Sequence, residues 1–175
     1  MGLENLVAGK DIPNDINVVI EISSRSAPIK YEFDKKTEML TVDRFISTSM
    51  YYPCDYGFIP KTLSEDGDPV DVLVIAPFSL TPGVVIRCRP IGMLKMTDEA
   101  GVDTKILAVP VDKLTPCYKD IHKPEDLRPE LLASIEHFFQ HYKDLEPGKW
   151  VKTNGWQGLE AAQKEIMASV ERYKQ

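Results

Sequence analysis

Short runs of alternating or continuous apolar residues, separated by Pro, Gly, Ser or Asp, fill the first two thirds of the chain. Runs at 17–22, 29–33, 39–44, 70–75, 84–95 and 104–110 are rich in Val and Ile, which predicts six β-strands. The period then changes. Leu131, Ile135, Phe138 and Tyr142 recur at helical spacing, and Pro147-Gly148 is placed to stop that helix. Trp156, Leu159, Ala162, Ile166, Val170 and Tyr173 repeat the pattern, and Asn154 with Gln157 has the spacing of a capping box at its start. Residues 1–16 read as a short leading segment with a turn around Pro13-Asn14. Strands followed by helices predict an α+β fold with a mainly β core. The strands are expected to close into a small barrel, with two C-terminal helices packed outside. No internal repeat, low-complexity tract or linker divides the chain, so a single domain over 1–175 is expected.

Composition narrows the function. A net charge of −6 argues against a nucleic-acid-binding face, which needs basic residues. No apolar run reaches the length of a membrane span, and the start, Met-Gly-Leu-Glu-Asn, lacks the basic-then-apolar layout of a secretory signal. Cys54, Cys88 and Cys117 are far apart, odd in number and without a CxxC, which fits a reducing compartment. The expectation is a cytoplasmic protein with no nucleic-acid or membrane partner.

The chemistry gathers in Glu65-Asp66-Gly67-Asp68-Pro69-Val70-Asp71-Val72-Leu73. Asp66, Asp68 and Asp71 fall close together, pinned by Gly and Pro at the mouth of an apolar strand. Carboxylates so crowded repel one another unless cations lie among them. Oxygen-only donors favour hard ions such as magnesium, manganese or calcium. A solvated acidic turn is the plain alternative. An EF-hand loop is not: Val70 holds its fifth position, Asp71 stands where Gly is needed, and Pro77 replaces the closing Glu. Asp98 and Asp103 bracket residues 99–101, which read equally well as a hairpin tip gathering both carboxylates or as an ordinary surface turn.

Cations and hydroxyls for an anionic substrate are spread along the chain. Lys30 and Glu32 alternate with Tyr31 and Phe33, so on a strand they share one face. Glu21 alternates with Ile20 and Ile22 in the same way, and Lys105 follows Asp103 by two. Arg44 ends its strand, and Tyr142-Lys143 end the first helix. Each alone has an ordinary surface or core explanation. Together they describe a charged barrel interior or mouth suited to a small, highly charged anion with metals.

With these residues in view, the whole chain resembles the soluble inorganic pyrophosphatases with a small barrel core, in their short bacterial form. Asp66-Gly67-Asp68-Pro69-Val70-Asp71 fits the D-x-D-P-x-D signature of that family. Glu21, Lys30-Tyr31-Glu32, Arg44, Tyr52-Pro53-x-Asp55-Tyr56-Gly57-Phe58-Ile59-Pro60, Asp98, Asp103-x-Lys105 and Tyr142-Lys143 follow in family order. The resemblance implies a five-stranded OB-like closed β-barrel and a homo-hexamer. It implies hydrolysis of inorganic diphosphate to two phosphates with several Mg2+ per site, Mn2+ being the substitute. Asp66, Asp71 and Asp103 would ligate the first metal, Asp71 being shared with a second. Glu21, Glu32 and Asp98 would be further ligands, direct or through water. Lys30, Arg44, Tyr56, Lys105, Tyr142 and Lys143 would hold the phosphates, and Asp68 would take the proton from the attacking water.

Other enzyme motifs fail. GxGxxG, GxxxxGK[ST] and GxSxG are missing, and Phe138 stands where a zinc protease helix carrying His137 and His141 would need Glu. Those histidines read as surface or subunit-contact residues. A general magnesium phosphohydrolase and a non-enzymatic OB-type binding module remain as rivals. The first lacks a base-stacking motif, and the second would need a basic groove with exposed aromatics.

Overall fold

A computed structural model describes residues 2–34 and 36–174. The described residues form one eight-stranded sheet, one separate hairpin, two α-helices and three short 3-10 helices. The sheet contains β1 (Gly9–Asp11), β2 (Asp15–Ile22), β5 (Asp55–Phe58), β6 (Asp71–Val74), β7 (Val85–Asp98), β8 (Gly101–Val102), β9 (Lys105–Pro110) and β10 (Val151–Gly158). The hairpin pairs β3 (Ile29–Phe33) with β4 (Leu40–Phe45). Pairing runs β2–β5–β6–β9–β7, and β7 pairs again with β2. Every pair is antiparallel except β6–β9, which aligns Asp71 with Lys105.

The apolar runs are continuous because the central strands are covered on both faces. Along β6, Leu73 enters a core shared with Ile135 and Phe138 of α1 (Pro129–His141). Its neighbours Val72 and Val74 enter a second core with Ala162 and Ile166 of α2 (Leu159–Tyr173). Along β9, Leu107 and Ile106 divide in the same way. Each helix therefore buries a single stripe, as the spacing of three and four requires.

All six expected strands form, and the Pro13-Asn14 turn joins β1 to β2. Three departures have physical causes. The capping box at Asn154 and Gln157 does not form: both lie in β10, and α2 begins at Leu159 with Gly158 before it and no side-chain cap. Trp156 accordingly belongs to a strand, paired with Leu94 of β7. Tertiary pairing with the long β7 outweighs local capping, and a register shift between Thr153 and Trp156, with Gly155 at φ 82°, fits the polar run to it. Strand β5 has too little apolar sequence to be read as a strand. At Gly57 a Cβ would lie 1.9 Å from the Val19 carbonyl oxygen, so only glycine permits this approach of β5 to β2. The first helix ends at His141, well before Pro147, and turns occupy the interval.

Candidate active site

The Asp66–Asp71 segment is a loop ahead of β6, held by a dense set of bonds. The Asp68 N–H donates to Asp66 Oδ1 at 3.0 Å, and the Ser64 N–H to the Asp68 carbonyl at 2.7 Å. Gly67 turns the chain at φ 92°. Behind it, buried Thr62 donates to the Ile59 carbonyl at 2.6 Å and accepts from the Val70 N–H at 3.0 Å. Asp71 is thus the first residue of β6, with Asp66 and Asp68 exposed above it.

Parallel pairing sets Lys105, the first residue of β9, beside Asp71. The buried Lys105 Nζ lies 2.5 Å from Asp71 Oδ2, 2.6 Å from Asp103 Oδ1 and 3.3 Å from Tyr56 Oη. Burial works against the ammonium charge, yet Asp103 and Asp71 outweigh it and hold the Lys105 pKa well above the ordinary value. Burial raises the Asp71 pKa, opposed by Lys105 and reinforced by Asp103. Burial also raises Asp66, with Asp103 and Asp68 adding repulsion, and pushes the Tyr56 hydroxyl up.

Glu21 reaches the same centre from β2. Its Oε1 accepts the Phe33 N–H at 2.9 Å, and burial pushes its pKa up to about 8, with Asp71 and Glu32 adding repulsion. The β3–β4 hairpin carries Lys30, in contact with Glu32 and 3.6 Å from Asp43. Arg44, opposite Lys30 in register, lies 3.7 Å from Asp43 and 3.8 Å from Glu146. From the far side, Tyr142 follows α1, stacked on Phe138, and feels the charges of Lys105, Lys143 and Asp103.

The hairpin tip expected at 99–101 forms between β7 and β8. Asp98 accepts from Lys143 Nζ at 2.8 Å and from the Ala100 N–H at 2.8 Å. These bonds overcome burial and lower its pKa. Asp98 is linked to the cluster through Lys143 and Tyr142, whereas Asp103 joins it directly. The expected site residues therefore form a centre of Asp66, Asp68, Asp71, Asp103, Lys105 and Tyr56, with Glu21 behind it. The hairpin set Lys30, Glu32 and Arg44 lies on one flank and Tyr142, Lys143 and Asp98 on the other. His137 and His141 are elsewhere, exposed on α1 with rings 4.7 Å apart.

Sequence reasoning passed over Tyr52, Asp43 and Glu146 as site members. Tyr52 is buried against Tyr56, ring centroids 5.9 Å apart, and interacts electrostatically with Tyr142, Lys105, Arg44 and Asp71. Its place in the Tyr-Pro-x-Asp-Tyr stretch was the available signal. Asp43 sits between Lys30 and Arg44, as an acid beside two bases on a hairpin should.

Among the described residues, no three His, Cys, Asp or Glu side chains converge closely enough to hold a metal as they stand. The donor set nevertheless suits hard cations. It is entirely oxygen, and the two closest carboxylates already share one cationic group, the Lys105 ammonium. Burial, reinforced by neighbouring carboxylates, raises the pKa values of Asp66, Asp71 and Glu21, and a cation bound among them would favour their charged forms.

The family profile for inorganic pyrophosphatase matches residues 18–174. The inorganic pyrophosphatase of Escherichia coli (strain K12) is 63% identical over 175 residues, covering 99% of each chain. That of Yersinia pestis is 62% identical over 175 residues with the same coverage. The solved inorganic pyrophosphatase of Coxiella burnetii is 54% identical and superposes with a TM-score of 0.93, covering 96% of this chain and 99% of its own. The chain belongs to the inorganic pyrophosphatase family of enzymes.

Proposed function

We propose that this chain hydrolyses inorganic diphosphate to two phosphates, using several Mg2+ held by the aspartate cluster. The observation that carries the reading is Lys105, buried between Asp71 and Asp103 with Tyr56 in reach. A buried cation among carboxylates, with Lys30, Arg44 and Lys143 around it, suits a small polyanion accompanied by metal.

Asp66, Asp71 and Asp103 would hold the first ion, Asp71 being shared with a second, and Glu21, Glu32 and Asp98 would serve as outer ligands. When bound, divalent cations supply charge neutralisation and lower the pKa of water. Lys105, Tyr56, Lys30, Arg44, Tyr142 and Lys143 would bind and orient the phosphates, because phosphoryl transfer needs mainly electrostatics and in-line placement. Asp68, exposed at the loop tip, would accept the proton of the attacking water. We further read the five-strand circuit β2–β5–β6–β9–β7 as a closed OB-type barrel with the helices outside it. The single domain is read as a cytoplasmic homo-hexamer, and its free cysteines suit that compartment. No helix among the described residues is long and apolar enough to cross a membrane.

The test is phosphate release from magnesium diphosphate and from magnesium ATP, each with and without a chelator. Fast, chelator-sensitive release from diphosphate alone is expected. Comparable rates on both substrates would replace this reading with that of a general phosphohydrolase.

A further inference from the structure

A cavity of about 420 Å3 lies at the end of the β5–β6 pair away from the aspartate cluster. Asp71 pairs with Phe58 at the cluster end, and Val74 pairs with Asp55 at the cavity end. Val74 and Ile75 line its floor, Ile121, Leu127 and Leu131 line an apolar wall, and Arg25 and Arg128 line it as well. We propose that this cavity is a second ligand site, binding a small organic anion that has an apolar body and a carboxylate or phosphate head.

The hydrogen-bond donors left over on the cavity support an anion. Two acids also line the cavity, but backbone donors already meet both. Asp55 Oδ1 accepts the Ser24 and Leu80 N–H groups at 2.8 and 3.0 Å. Asp126 Oδ2 accepts the His122 and Lys123 N–H groups at 2.9 and 3.1 Å. The two guanidinium groups have no hydrogen-bond or ion-pair partner among the described residues, so the charged hydrogen-bonding groups left free on the cavity are donors, although two arginines and two aspartates balance in formal charge. Guanidinium forks match carboxylate and phosphate heads in two-point bonds. The volume falls in the range of small-molecule pockets, and the apolar wall suits a hydrocarbon or aromatic body.

Arg25 carries a further mark. Its φ of 60° is a conformation that L side chains rarely adopt, fixed by its N–H bond to the Tyr52 carbonyl at 2.8 Å. An arginine kept where glycine would sit without strain points to a use for the guanidinium. It also gives a clean variant, because Arg25→Gly removes the charge and suits the backbone.

The experiment titrates 2-naphthoate into the full chain by calorimetry, with the neutral isostere 2-naphthol as control. Location is read from alkylation of Cys117, the exposed cysteine that lines the same cavity. One saturable site per chain is expected, with 2-naphthol weaker by at least about tenfold, the scale of a charge-assisted bond. Arg25→Gly and Arg128→Gln should each weaken naphthoate by a similar factor, with diphosphate hydrolysis retained as the check on folding. Bound naphthoate should slow Cys117 alkylation. The proposal is overturned by no saturable binding at millimolar naphthoate, by undiminished binding in Arg25→Gly, by naphthol binding as tightly, or by unprotected Cys117.

Discussion

The centre of the site and the β3–β4 hairpin carry similar charges in opposite settings. At the centre, Lys105 at the start of β9 is 5% exposed and bonded to Asp71 at the start of β6 and to Asp103 just ahead of β9. On the hairpin, Lys30 and Glu32 are 27% and 44% exposed, in a sheet of their own. Water screens the second pair and scarcely touches the first. The same ion-pair chemistry should therefore determine stability at one place and little but substrate contact at the other.

The largest effect is expected at the cluster rim. Asp68→Asn should lower kcat by about 10²–10⁴, as removal of a general base does, with the magnesium dependence nearly unchanged. Asp71→Asn should weaken magnesium binding as well as rate, and excess magnesium should rescue it further than it rescues Asp68→Asn. A grid of initial rates over magnesium and pH checks both. If Asp68→Asn shows the greater loss of magnesium affinity, Asp68 is a ligand and not the base.

Lys105→Met comes next. Removing the buried ammonium leaves Asp71 and Asp103 facing each other, and breaking a buried pair costs about 3–5 kcal/mol. Urea unfolding without divalent cations reads this loss, and added magnesium should recover part of it. A variant as stable as the parent would contradict the buried arrangement.

Glu21→Gln should act in the opposite direction. The folded pKa of about 8 lies above the ordinary 4.5, so below 4.5 both states hold the proton and folding gains nothing. As pH rises from 4.5 towards 8, the unfolded chain releases its proton first and the parent loses stability. Without divalent cations, the variant should therefore be more stable at pH 7 by about 3 kcal/mol and equal to the parent near pH 4. Melting temperatures across that range test the sign. A gain confined to acid pH would refute it.

The smallest effect belongs to the hairpin. A double-mutant cycle on Lys30 and Glu32 should give a coupling of about 1 kcal/mol or less in unfolding, shrinking with salt. Lys30→Gln should instead raise KM for diphosphate. A coupling as large as that at Lys105 would erase the contrast between the two regions.

What the sequence revealed follows the same division. Short runs rich in Val and Ile exposed β2, β6, β7 and β9, because one strand's composition is a local property. The motif at Asp66–Asp71 exposed the acidic loop for the same reason. The register that aligns Asp71 with Lys105 was hidden, because their pairing depends on which strand lies beside which. Strand β10 was hidden too: its polar run Val151–Gly158 becomes a strand only by pairing with β7, and locally its Asn and Gln imitate a cap. Nothing in the alternation of Lys30 and Glu32 told that their hairpin would form a separate sheet. The cavity at Arg25 and Arg128 joins residues from distant loops, and no spacing rule reports that.

The parallel β6–β9 pair bears on how the chain comes alive during synthesis. Two neighbouring parallel strands cannot be joined by a tight turn, and here β7 and β8 intervene before β9 is reached. Asp71 cannot meet Lys105 until that whole excursion has been made and closed, and Tyr142 and Lys143 arrive later still. Contacts so distant along the chain form slowly and late. A nascent or clipped fragment would hold the complete acidic loop and no working centre, so the first turnover of diphosphate would double as a signal that folding has finished.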